Sequence, residues 1–330
     1  MPRRPITLAW LGAFIALTLG NVAYSQEDAT LATETVPASE ARDIAKVAAR
    51  FQAAIIKRDS GLTRRGAHPK HHGCVRARFT INAELRPDLR VGLFQAGVSY
   101  PAWIRYSNNG DPQADSEGDV RGMAIKLLDV DGPRLYQPDS NATTHDFLLV
   151  SHPVFLFPDV STYAQAFEAF GEGHALRFFF NPFDPHLRAF LISRDMLVRH
   201  ADLLDIRWFS MTPYLFGAER AVKYSATPCA IAQTLIPSAA TDDFLRVQLA
   251  KRLREDNVCF TFAVQFQTDA RRMPIEDASV EWDETDSPFI PMARIDIPRQ
   301  SFASPSSRIS VSSCHLIPGA HGFSINRWAV

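Results

Sequence analysis

From about Ser39, apolar residues recur at helical spacing. Ile44, Val47, Phe51, Ala54 and Ile55 fall on one stripe with charges opposite, which predicts a core-facing helix ended by Gly61. From Ala77 to Val150 the period drops to two. Ala102 to Ser107 alternates, Met123, Ile125 and Leu127 alternate with Ala124 and Lys126, and His145 to Val150 is a short apolar run. Ser161–Phe170 then reads as a helix stopped by Gly171, and Asn181–Leu204 as mostly helical. Phe209–Tyr224 reads as a hairpin broken at Gly217, and Thr241–Asp256 as a helix with Leu245, Leu249 and Leu253 on one side. Phe260, Phe262, Val264 and Phe266 alternate strictly, as in a half-buried strand, and a Pro-rich irregular tail runs from Pro274 onward. Strands before and after a helical middle, without βαβ alternation, predict an α+β fold: an antiparallel β-barrel with attached helices.

Composition narrows the picture little. The 330 residues are 46 % hydrophobic and 22 % charged, ordinary globular values that suit one large domain or two small ones. A net charge of -1 argues against nucleic acid or an anionic membrane as the main partner, because both reward a strongly basic surface.

The N-terminus adds more. Arg3 and Arg4 precede an apolar run from Leu8 to Leu19, and Ala23 and Ser25 follow, the layout of a secretory signal peptide over residues 1–25. The run is short of the roughly 20 residues a bilayer span needs. An uncleaved anchor is the alternative. The reading expects an exported chain, secreted or periplasmic, with a flexible leader over 26–38, a domain over 39–330 and no integral membrane segment after cleavage.

Cys74, Cys229, Cys259 and Cys314 match no zinc spacing. An oxidising compartment allows one or two disulfides in any of three full pairings. Alternatively, Cys74 and Cys259 are small core residues within strands.

One segment concentrates chemistry: Arg65-Gly-Ala-His68-Pro-Lys-His71-His72-Gly73, between a helix and a strand. Three readings stand. His68, His71, His72 and Cys74 could hold a metal, although adjacent histidines on an extended chain point apart. The segment could be a basic surface loop. Or one imidazole could move protons near neutral pH beside a cofactor.

The third reading gains from a resemblance. Arg65-x-x-His68-x-Lys70, Gly73 and Phe79 resemble the catalase segment that carries the distal histidine. In order there follow Ile104-Arg105-Tyr106-Ser107, Gly118-Asp-Val-Arg121-Gly122-Met-Ala-Ile-Lys126, Pro153-Val-Phe155, Phe260-Thr-Phe-Ala-Val-Gln265 and Phe289-Ile-Pro291. The match runs from the first helix to Asn326-Arg327, and its shared order is what makes it specific. The length is similar to that of short catalase-related haem peroxidases.

The resemblance implies a catalase-type barrel binding haem b and acting on hydrogen peroxide or an organic, including fatty-acid, hydroperoxide. It implies His68 as the acid–base, Ser107 as the residue orienting its ring, Arg65 and Arg105 as propionate partners and Phe155 as pocket wall, with no protein-bound metal ion otherwise. Two departures stand out. The family's Asn before Pro-x-Phe is missing, leaving Ser151 or His152 as substitutes. The family's proximal Tyr, expected after Asn326-Arg327, is also missing, so the chain reads as truncated before it; Tyr214, Tyr224, His315, His321 and Cys314 are the remaining candidate ligands. The rival expectation is a haem-free, non-catalytic protein on the same scaffold, binding an apolar ligand or a partner. Oligomeric state is left open.

Overall fold

In the computed structural model, residues 30–58, 67–110, 113–132 and 142–302 are described. The expected signal peptide over 1–25, Gly61, Arg65 and everything from 303 onward, including Cys314, His315, His321 and Asn326-Arg327, lie outside the described residues.

The chain opens on α1 (Glu40–Arg58), whose Ile44, Val47 and Phe51 pack against Val160, Ala164 and Tyr163 of α2 (Val160–Gly171). Asp159 caps α2, accepting from Thr162 N at 2.7 Å. The strands are β1 (His71–Ile81), β2 (Ser99–Asn108), β3 (Arg121–Leu128), β4 (Thr144–Val150), β5 (Trp208–Phe209), β6 (Tyr214–Phe216), β7 (Arg220–Pro228), β8 (Val258–Phe266) and β9 (Ile290–Ile297). Two further helices, α3 (Ala175–Phe179) and α4 (Leu187–Met196), follow α2, and α5 (Phe244–Glu255) precedes β8.

Pairing runs antiparallel around a ring, β1-β2-β3-β4-β5-β7-β8-β9 and back to β1, with β6 beside β7. This closes an eight-stranded barrel and leaves no open edge around it. The interior is aromatic: Phe79 and Phe147 lie 5.1 and 4.7 Å from Phe262, centroid to centroid. Alternation therefore decides everything on the outer wall. In β2, Ala102, Ile104 and Tyr106 belong to the interior core, so Trp103, Arg105 and Ser107 face outward.

The predicted architecture is present, with local differences. β9 lies in the stretch expected to be irregular. Its Pro291 hid it, yet Met292, Ile295 and Ile297 are buried, and the register shifts at Phe262/Ala263, where Ala263 pairs with Pro291. The stretch 181–204 is helical only over α4, because Pro182 and Pro185 precede it, and α3 was missed. β1 starts at His71, so only Ala67 to Lys70 of the histidine segment, among the described residues, is loop. Gly217, at φ +70°, makes the expected turn between β6 and β7. Cys229 and Cys259 form a disulfide, and no described cysteine is free.

Candidate functional site

The site is built on the outer wall of β1, β2 and β3. Register sets Ser107 opposite both His71 and Gly122. Just before β1, His68 adopts φ +54°, a left-handed conformation uncommon for a residue with a Cβ. Two bonds hold it there. Arg105 Nη2 donates to the His68 carbonyl at 2.6 Å, and Ser107 Oγ lies 3.1 Å from His68 Nδ1.

Gly122 supplies the space. A Cβ added there would stand 2.6 Å from both Cε1 and Nδ1 of His68 and 2.9 Å from Ser107 Oγ. The imidazole thus lies against bare backbone, and any side chain at 122 would push it away. Gly122 was part of a sequence motif, but its role as the floor under His68 depends on a strand pairing that the motif does not reveal. Backbone strain of this kind persists where the surroundings over-determine it, and it concentrates at working sites.

Three histidines in one segment have distinct surroundings. His72, next in β1 after His71, is fully buried, and burial holds its imidazole well below the usual pKa. Its Nε2 is 2.6 Å from Asn108 Oδ1, and its Nδ1 is 3.6 Å from Asp115 Oδ2. Asp115 is the hub of this network. It meets Lys70 Nζ at 2.7 Å and accepts from Asn108 Nδ2 at 3.2 Å and from Leu245 N at 3.0 Å. The buried Arg121 guanidinium donates to Asn108 Oδ1 and to the carbonyls of Asp115 and Glu117. His200, also packed near Arg121, has its pKa pushed down to about 4, first by burial and then by that cation. Among the described residues no group of three or more His, Cys, Asp or Glu is placed to hold a metal ion.

The structure brings His68, Arg105 and Ser107 together. Phe155 sits in a separate aromatic cluster with Phe157 and Tyr163, anchored by its N–H to the Ala278 carbonyl at 2.9 Å. Ser151 and His152, the expected substitutes for the missing Asn, are committed locally. Ser151 exchanges two 3.0 Å bonds with the backbone of Arg121, and the His152 ring folds onto Val154.

Comparison with solved structures decides the fold. A catalase A from Saccharomyces cerevisiae superposes with a TM-score of 0.59 at 17 % identity over 77 % of this chain. A bacterial catalase gives 0.58 at 18 % identity over 90 %, and a fungal catalase 0.54 at 17 % over 77 %. The chain has the catalase fold. It spans 54 to 60 % of the length of those catalases. No family model matches it, and no curated protein does.

If haem were bound, the wall carrying His68, Ser107 and Gly122 would offer it a group able to move a proton. The iron would also need a protein ligand, and Tyr106, Tyr214 and Tyr224 do not lie on this wall. Tyr106 and Tyr224 are buried in the barrel interior, and Tyr214 packs on Tyr224 at 5.0 Å. Burial raises the pKa of all three phenols, which disfavours a phenolate.

Proposed function

We propose that this catalase-fold chain is a haem-dependent peroxidase that breaks down hydrogen peroxide or an organic hydroperoxide. The observation that carries the reading is His68, held at positive φ over Gly122 with Nδ1 committed to Ser107. Haem b, when bound, supplies the redox chemistry.

The chain's own residues handle protons and position. With Nδ1 held by Ser107, Nε2 is the nitrogen that takes a proton from one peroxide oxygen and returns it to the other. That transfer favours heterolytic O–O cleavage. Ser107 keeps the ring in one orientation, and Gly122 keeps it close to the wall. Arg105 locks the His68 backbone and, with Arg65, supplies charge for a propionate. With Ser151 and His152 engaged elsewhere, neither stands in for the family's Asn in holding a second peroxide, so oxidation of an added reductant exceeds oxygen release.

A second reading has its own observation. Tyr106 and Tyr224 lie in the barrel interior and Tyr214 packs against it, which favours a haem-free protein on the same scaffold. Haem titration followed at the Soret band separates the two. The peroxidase reading expects a saturable Soret band. It also expects His68→Ala to keep that band while slowing the reaction with peroxide by about two to four orders of magnitude. Absence of any Soret change would establish the haem-free reading. An unchanged rate in His68→Ala would remove that residue from the mechanism.

A further inference from the structure

The segment from α3 through α4 exposes apolar side chains to a degree that packing does not explain. Leu176 is 71 % exposed and Phe183 95 % exposed, and Phe180, Leu187 and Leu191 are each about half exposed. Leu176 and Phe180 lie four residues apart, as do Leu187 and Leu191, so each pair shares a face. The two helices form one body, with Phe180 4.9 Å from Phe190 and the His186 ring 4.1 Å over Phe178. Phe183 stands at the tip between Pro182 and Pro185, in a turn fixed by its N–H to Asn181 Oδ1 at 3.1 Å. A contiguous apolar face of this kind marks an interaction site.

We propose that this helical hairpin docks on an anionic lipid surface, with Phe183 and its apolar neighbours inserted among the acyl chains. Charge selects the occupant. From Leu176 to Arg199 the chain carries Arg177, Arg188, Arg194 and Arg199 against only Asp184 and Asp195, although the whole chain is at -1. Glu172, just before α3, sits 3.5 Å from the His174 ring. Net charge alone argues against an anionic membrane, but docking depends on local charge, and the positive excess lies in the same segment as the exposed apolar side chains. A second copy fits less well, because a two-fold interface sets this basic patch against itself and a protruding tip leaves gaps. No described helix is long and apolar enough to cross a membrane, so the attachment is peripheral.

The docking face connects inward through ring contacts. Phe155 meets Phe157 at 6.0 Å and Phe157 meets Phe178 at 5.9 Å. Phe178 meets Phe179 at 5.4 Å, and Phe179 meets Phe190 at 5.6 Å, beside exposed Phe180. The docking does not rest on the proposed peroxidase function.

The test is flotation of the chain without residues 1–25, with vesicles of phosphatidylcholine alone or mixed equally with phosphatidylglycerol. Binding is expected on the mixed vesicles and weaker on phosphatidylcholine. Phe183→Ser should reduce it about tenfold or more, the effect of withdrawing one buried aromatic ring. Arg177→Glu and Arg194→Glu should each weaken it about fivefold or more, only on the anionic vesicles. Phe183 is too exposed for its replacement to disturb the fold. Failure to float on either vesicle, or equal flotation of Phe183→Ser, overturns the proposal. So does self-association in sedimentation equilibrium that Phe183→Ser abolishes while vesicles bind neither form; the occupant is then a second copy. None of these readouts needs haem or peroxide, so they fail independently of the functional reading.

Discussion

Two outer walls of one barrel carry buried polar side chains, and they use them differently. On β7 and β8, Lys223 and Gln265 face each other in register. Lys223 Nζ donates to the Val280 carbonyl at 2.9 Å, and Gln265 Nε2 donates to the carbonyls of Trp282 and Ser287, each at 2.9 Å. All these partners are backbone atoms of one segment, so the polar groups fasten a strap to the barrel. On β1 to β3, His68 is bound by a side chain at one ring nitrogen, lies over a missing side chain and has a strained backbone. The first arrangement satisfies main-chain acceptors and stabilises. The second positions one titratable ring at some cost, which makes it the candidate for chemistry.

The contrast is sharpest at Gly122. A valine there must displace the His68 ring, because its Cβ alone would stand 2.6 Å away. The proposed activity should fall about as far as in His68→Ala, two to four orders of magnitude. The melting temperature should move far less than the rate. Stopped-flow peroxide kinetics and thermal melts on one preparation decide it. A full rate in Gly122→Val would make this wall as structural as the other.

Behind His68, the Asp115 hub is expected to act on stability. Asp115→Ala removes the shorter of the two ion pairs of Lys70, leaving the one to Asp243 at 3.1 Å, and takes away the carboxylate beside His72 and the acceptor of the Asn108 and Leu245 bonds. Removing one partner of a buried charge network costs about 3–5 kcal/mol. Urea unfolding measures it. A loss under 1 kcal/mol would mean that water reaches the hub and that the network contributes little to stability.

Acid should expose the same region. Burial depresses both His72 and His200, the latter to about 4. Below the ordinary 6.5 the unfolded chain takes up protons that these folded rings refuse. Stability is therefore intact above pH 6.5 and lost as pH falls toward 4, by about 3 kcal/mol per fully expressed shift. His200→Leu should flatten part of that slope in melts taken from pH 7 to pH 4.5. An unaltered slope would assign the acid loss to other groups.

Much of this was legible in the sequence because the barrel writes period-two alternation. β2, β3 and β8 appear directly as apolar residues at every second position. β9 does not, since Pro291 interrupts it and only pairing with β8 restores its register. A motif that preserves order along the chain singled out His68, Arg105 and Ser107, and the structure brings the three together. How His68 is held was not legible, because that depends on a strand beginning at His71 and on Gly122, more than fifty residues away. Local pattern marks candidates, and long-range pairing sorts them.

The strap wall should respond more weakly, with stability again rising with pH but in an alkaline window. Burial lowers Lys223 from 10.5 to about 8, with Glu281 and Asp277 pulling it back up. Between pH 8 and 10.5 the unfolded lysine keeps a proton that the folded one has begun to release. Unfolding then takes up protons, so stability rises with pH across that window; measured to pH 10 the gain is about 2 kcal/mol. Lys223→Met should remove the gain. At neutral pH the same variant should be close to neutral in stability, because the lost bond to Val280 is offset by no longer burying a charge. It should leave peroxide kinetics unchanged, since nothing on this wall touches His68. Chemical denaturation of both forms at pH 7, 8.5 and 10 gives the comparison. If stability falls through the window instead, the fold holds the Lys223 proton more tightly than water does. Glu281 and Asp277 would then outweigh burial, and the strap would be fastened by an ion-pair network.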